Sequence, residues 1–134
     1  MKDIIIKKLK PQYTTVIVTM DTYEDNVVLD GVIAAKKGAL KMYQRVISVG
    51  GSVRSVKEGD LVLLNLQNYI TRKFEEDTLK EGMDKMKDVL VYDFPKIFIG
   101  GQLYAKLQER DIEGVIEDYE EVEIETASNE NNLL

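Results

Sequence analysis

Residues 46–65 read VISVGGSVRSVKEGDLVLLN. Two aliphatic runs flank a glycine pair and a tight VKEGD turn. Neither run carries a group that does chemistry, so the stretch is architectural. Gly59 is the left-handed residue of the turn, because glycine enters that region without Cβ strain. Lys57 and Glu58 suit the exposed positions, and Asp60 is placed to accept from nearby backbone N–H groups. The turn then sends Leu61–Leu64 into a core. This reads as the rim of a small β-barrel. Biotin- and lipoyl-carrier domains also have such a turn, but they need a modified lysine on a hairpin tip. Here DKMKD (84–88) falls in a stretch that reads as helix.

Working outward, most of the chain has β character. YTTVIVTM (13–20) is rich in β-branched residues, and Pro11 stands where no ladder N–H is needed. YQRVISVG (43–50) is a second strand. DLVLLNLQNYITRKF (60–74) is one long strand, or two with a break near Asn65. PKIFIGGQLYAKLQ (95–108) reads as a hairpin turning at Gly100-Gly101. One segment predicts a helix: in TLKEGMDKMKDVL (78–90), Leu79, Met83, Met86 and Leu90 follow a four, three, four spacing. Thr78 with Glu81 makes a capping-box pattern, and Gly82 weakens the reading. RDIEGVIED (110–118) fits a short helical turn or a strand. EEVEIE (120–125) fits an edge strand or an arm, and the polar end TASNENNLL reads as disordered.

The totals narrow the function. The 134 residues suit one domain, and no apolar run approaches the length needed to cross a bilayer. The chain has no cysteine and no histidine. That removes thiol nucleophiles, disulfides, His-based triads and the usual zinc ligands. The expectation is a cytoplasmic protein that is not an enzyme, with no cofactor and no metal. Glu75-Glu76-Asp77 lacks calcium-loop spacing and reads as a solvated face. From Glu109 to Leu134 there are ten acidic residues and one basic, against 17 basic and 14 acidic in the first 108. An acidic tail on a near-neutral body does not suit nucleic acid.

The segment DTYEDNVVLDGVIAAKKGALK (21–41) admits two readings. Its charged, glycine-punctuated flanks fit a mobile loop. VVLDGVIA also fits a hairpin, with Asp30-Gly31 as a type I′ turn.

In order and spacing these pieces resemble the GroES-like co-chaperonins. The family opens with an aliphatic residue, a spacer and a proline, then a β-branched triplet, as in LKPQYTTVIV (9–18). A flexible loop with a glycine and three aliphatic residues follows, here DGVIA (30–34). Next come a V-x-x-V-G strand end (Val46–Gly50), the V-K-x-G-D-x-V turn (Val56–Val62) and an asparagine (Asn65). The family closes with a tyrosine, a leucine and E-x-D-I-x-x-V-I-E, here Tyr104, Leu107 and Glu109–Glu117. The match covers roughly residues 8–65 and 97–118. The departures are Thr14-Thr15 in place of an Asp-Arg pair, a short 50–56 loop that leaves no roof hairpin, an insertion at 66–96 and an extension at 119–134. A divergent, phage-like member fits them.

The resemblance implies a mainly β fold: a GroES-like small β-barrel domain over 1–118, with a short inserted helix, and an acidic C-terminal extension over 119–134. It implies a mobile loop whose Gly31, Val32, Ile33 and Ala34, helped by Val27, Val28 and Leu29, dock on a large GroEL-like chaperonin ring to assist ATP-dependent folding. It also implies a ring-shaped homo-oligomer, a heptamer in the family. IIIKKL (4–9) and VIEDYEEVEIE (115–125), of opposite charge balance, are candidates to meet between neighbours. The alternative is a GroES-like structural or assembly module, for example phage-encoded, that has no chaperonin partner.

Overall fold

The computed structural model describes residues 1–77 and 85–126. They are mainly strand. Six antiparallel strands form the principal sheet: β1 (Thr15–Val18), β4 (Tyr43–Val49), β5 (Leu61–Leu64), β8 (Lys96–Ile99), β9 (Gln102–Gln108) and β10 (Ile112–Val115). Their order is β10-β5-β4-β1-β9-β8. A three-stranded sheet has the order β11-β2-β3, from β2 (Val27–Leu29), β3 (Val32–Ala35) and β11 (Glu125–Thr126). β6 (Ile70–Asp77) and β7 (Lys85–Tyr92) make a two-stranded ribbon. No helix among the described residues is long and apolar enough to cross a membrane.

β1 lies between β4 and β9, so both its edges are paired, and after half-buried Thr15 its residues are all apolar. Val16, Ile17 and Val18 are all fully buried. A strand covered on both faces reads as a continuous apolar run instead of an alternation. β5, nearer the sheet edge, does alternate: Val62 and Leu64 are buried and Leu63 is exposed. The core closes around Val16, Val18, Val46, Val62, Leu64 and Leu107, with Val56, Leu66, Phe94 and Ala105 packed among them.

The VKEGD turn forms as its chemistry requires. Gly59 has φ +93°. The Lys57 N–H donates to Asp60 Oδ2 (3.0 Å), and the Asp60 N–H donates to the Lys57 carbonyl (3.1 Å). The turn is tied to β4, because the Gly59 N–H donates to the Val46 carbonyl and the Val46 N–H to the Asp60 carbonyl. The glycine pair before it has a different reason. A Cβ on Gly50 would collide with the Tyr13 carbonyl oxygen and lie 2.7 Å from that of Gln12, whereas Gly51 has open space. Gly50 thus lets loop 12–13 cross the end of β4.

Of the two readings of residues 60–74, the one with a break near Asn65 is found. The Asn65 N–H donates to the Asp111 carbonyl, and Asn65 Oδ1 accepts from the Gln67 N–H (3.2 Å). A 3₁₀ turn at Gln67–Tyr69 follows. The 95–108 hairpin turns at Gly100-Gly101, both with positive φ. Residues 110–118 resolve into both readings, a 3₁₀ turn at Glu109–Asp111 and then β10.

Two expectations are corrected. The sheet does not close into a barrel: β10 and β8 end it and do not pair with each other. Beyond β8, the Gly100 N–H donates to the Ile6 carbonyl, so the N-terminal segment runs alongside that end of the sheet. The inserted helix is also overturned over its second half. Residues 85–92 are strand β7, paired in continuous register with β6 from Ile70↔Tyr92 to Asp77↔Lys85. Local spacing there fitted a helix, but Val89 and Val91 are β-branched and an eight-residue partner strand is available, so ladder pairing wins over local period. Leu90, the last residue of that helical spacing, is 65% exposed. The first half of that helix, 78–84, and the polar end, 127–134, lie outside the described residues.

The ribbon is anchored at its root. Phe94 is in the core, edge-on to Tyr69 with centroids 6.3 Å apart. The Tyr69 hydroxyl donates to buried Asp111 Oδ2 (2.6 Å), which also accepts from the Gln108 N–H (2.9 Å). Burial, then this bond to a carboxylate, pushes the Tyr69 hydroxyl up to about 12. Nearby, Glu109 Oε2 accepts from the Ser55 hydroxyl (2.7 Å) and from the N–H groups of Ser55 and Arg54 (both 2.8 Å). Those donors hold its carboxyl below its ordinary value.

Adjacent glycines therefore differ in what they tolerate. Gly50→Ala should destabilise the protein by about 3 kcal/mol, the scale of forced overpacking. Gly51→Ala should change stability by less than about 0.5 kcal/mol. Urea midpoints of the two variants check this, and equal midpoints would refute it.

Candidate functional site

The residues singled out by the resemblance lie at the tip of the β2–β3 hairpin. Asp30 and Gly31 have φ +52° and +78°, the two positive values that a type I′ turn needs. Leu29 faces Val32 and Val28 faces Ile33 in the register; a one-residue bulge then brings Ala35 opposite Val27. Of the two readings of residues 21–41, the hairpin is the one adopted.

The hairpin does not lie flat on the body. Leu29, Val32 and Ile33 are 58%, 67% and 51% exposed, and Gly31 and Ala34 are exposed as well. Solvent thus reaches all four predicted docking residues. The assisting residues divide. Leu29 joins the exposed tip, Val28 is half-buried, and Val27 is buried at the root, so Val27 is corrected from a docking to an anchoring position. The tip is a small aliphatic surface with Asp30 at its turn. Its capacity is for contact, through side chains that gain by leaving water.

Below the tip the two chain segments stay paired. The Tyr23 N–H donates to the Ala39 carbonyl (3.0 Å), and the Gly38 N–H to the Tyr23 carbonyl (2.8 Å). Thr22 and Leu40 form an isolated bridge, and the Lys41 N–H donates to the Asp21 carbonyl (3.0 Å). Asn26 Oδ1 accepts from the Lys37 N–H (2.7 Å). Lys41 Nζ sits 5.4 Å from the Tyr23 ring centre and 5.6 Å from that of Tyr43, within cation–π range.

The stem meets the principal sheet at Gln44, a residue sequence reasoning passed over. It is 1% exposed. Its Oε1 accepts from the Thr19 hydroxyl (2.7 Å) and the Asp21 N–H (2.9 Å). Its Nε2 donates to the carbonyls of Asp21 (2.9 Å) and Lys41 (2.8 Å). Both sides of the stem are thus bonded to one buried amide, and its two acceptor and two donor positions are all used. A signal was present in the sequence: in YQRVISV, Gln44 shares the strand face of Val46, so the alternation turns a polar group inward.

Among the described residues no group of three or more His, Cys, Asp or Glu side chains is arranged to hold a metal ion.

Replacing Gln44 by Leu leaves the Asp21 N–H and the Lys41 carbonyl without their Gln44 partner and takes one of two donors from the Asp21 carbonyl. The expected loss is at least about 2 kcal/mol, with faster amide exchange in 21–23 and 39–41 than in β9. Exchange read by mass spectrometry checks it; uniform change along the chain would count against a local clamp.

No family model matches the chain, and no curated protein matches it in sequence.

Proposed function

We propose that this chain is a GroES-like co-chaperonin: a non-enzymatic, ring-forming protein that docks on a large chaperonin through the β2–β3 hairpin and assists ATP-dependent folding. The observation that carries the reading is the exposed Leu29, Val32 and Ile33 at the end of a clamped stem. It adds to the motif order of the sequence, DGVIA at 30–34 ahead of the VKEGD turn.

The energetics fit a grip by many weak contacts. Burying one Val or Ile side chain contributes about 1.5–3 kcal/mol. Each loop offers two or three such residues, less the entropy of fixing it on the partner. One loop alone binds weakly. Several loops presented by one ring act at high effective concentration, so the assembly holds where a single chain lets go. The same weakness per loop allows release when the chaperonin changes state. Of the hairpin's own ordering cost, the type I′ turn and the Gln44 clamp have already met part.

A second reading, a GroES-like structural or assembly module without a chaperonin, is favoured by one observation. The segment that is a flexible loop in the family is here paired on both sides, β3 on one edge of β2 and β11 on the other.

The two readings part at the tip. Mixed with a chaperonin and ATP, the protein should form a complex that survives size exclusion. Val32→Ser with Ile33→Ser should weaken it at least a hundredfold while the melting temperature stays within about 2 °C, since both side chains are mostly exposed. No complex with the native protein would favour the structural module, and an unchanged complex with the double variant would overturn docking through the tip.

A further inference from the structure

The acidic C-terminal extension does not trail into solvent over its described length. After β10 the Ile116 N–H donates to the Leu61 carbonyl. The chain then crosses to the hairpin, where Glu125 and Thr126 pair antiparallel with Val28 and Val27. β2 thereby lies between β3 and β11, with both edges engaged.

Between these two ends the arm is held loosely. Tyr119, Val122 and Ile124 are 55%, 65% and 47% exposed. An open groove of about 640 Å³ separates the arm from the body, with Lys41, Tyr43 and Arg45 on one side and Val122 and Ile124 on the other. From 117 to 126 there are six acidic residues and no basic one; of these Glu120 and Glu121 line the groove together with Lys41, Arg45 and Asp21. Attraction across this partly wet gap is screened by salt.

We propose that residues 117–126 are a detachable strap: in the free protein they hold the β2–β3 hairpin in place and cover the outer edge of β2. Three features point to this. The pairing is only two residues long, so it opens at small free-energy cost compared with the principal sheet. It occupies a strand edge that would otherwise offer unpaired N–H and C=O groups to another chain. Glu120 and Glu121 share a groove with Lys41 and Arg45 at the foot of the same hairpin. Detachment leaves the hairpin held by its stem alone, with the edge of β2 open to a partner strand. The proposal stands on the pairing and does not depend on the chaperonin reading.

Two full-length variants test it from opposite sides, read by amide hydrogen exchange without any partner present. Glu125→Pro with Thr126→Pro removes both N–H donors of β11. Exchange in 27–35 should rise at least fivefold, while that in β1 and β5 stays within a factor of two. Val28→Cys with Glu125→Cys places thiols at directly opposed positions. Antiparallel partners lie at a Cα separation a disulfide accepts, and the chain has no other cysteine. The protein cross-linked within each chain should exchange more slowly than the native protein over the same residues and revert on reduction. Unchanged exchange in the proline variant, or a cross-link found only between two chains, would overturn the strap.

Discussion

One buried amide joins the principal sheet to the stem of the β2–β3 hairpin. Gln44 stands on β4 within the principal sheet, and its four hydrogen bonds run to Thr19, to both backbone groups of Asp21 and to Lys41. A buried polar side chain is tolerable only when its bonds are complete. Here completion requires both sides of the hairpin stem to be in place at once. The sheet and the hairpin are therefore coupled: the packing that buries β4 also fixes the direction in which residues 24–38 leave the body.

The same logic explains why an exposed aliphatic tip is tolerated. Leu29, Val32 and Ile33 gain nothing by remaining in water, yet the stem below them does not let the tip fold back. The hairpin thus combines restraint at its base, an exposed aliphatic end and a two-residue strand, β11, along one edge. The opposite end of the sheet is secured differently. The Asp111–Tyr69 and Glu109–Ser55 bonds fasten the ribbon root and the 51–56 loop to the connection between β9 and β10. The hairpin, the ribbon and the 51–56 loop are thus each tied to the sheet by polar bonds near their base.

Much of this was legible in the sequence. The VKEGD turn, the break at Asn65, the Gly100-Gly101 hairpin and the Asp30-Gly31 turn all follow from local chemistry, because positive φ and side-chain-to-backbone bonds are decided within a few residues. What was not legible depends on distant partners. Residues 85–90 looked helical because period alone was read, while β6, their partner in the ladder, lies across a turn. Closure of the sheet was expected from family likeness, yet β10 and β8 do not pair. The strap pairs residues nearly a hundred positions apart, Val28 with Glu125, and no local pattern announces it.

A weak aliphatic tip grips firmly only through repetition, so the proposed docking needs a closed assembly. Sedimentation equilibrium over a hundredfold range of concentration measures whether one exists. A ring gives one species whose mass is a fixed multiple of the chain mass, several-fold above it and unchanged on dilution through the micromolar range. A particle with the mass of a single chain at every concentration would contradict it.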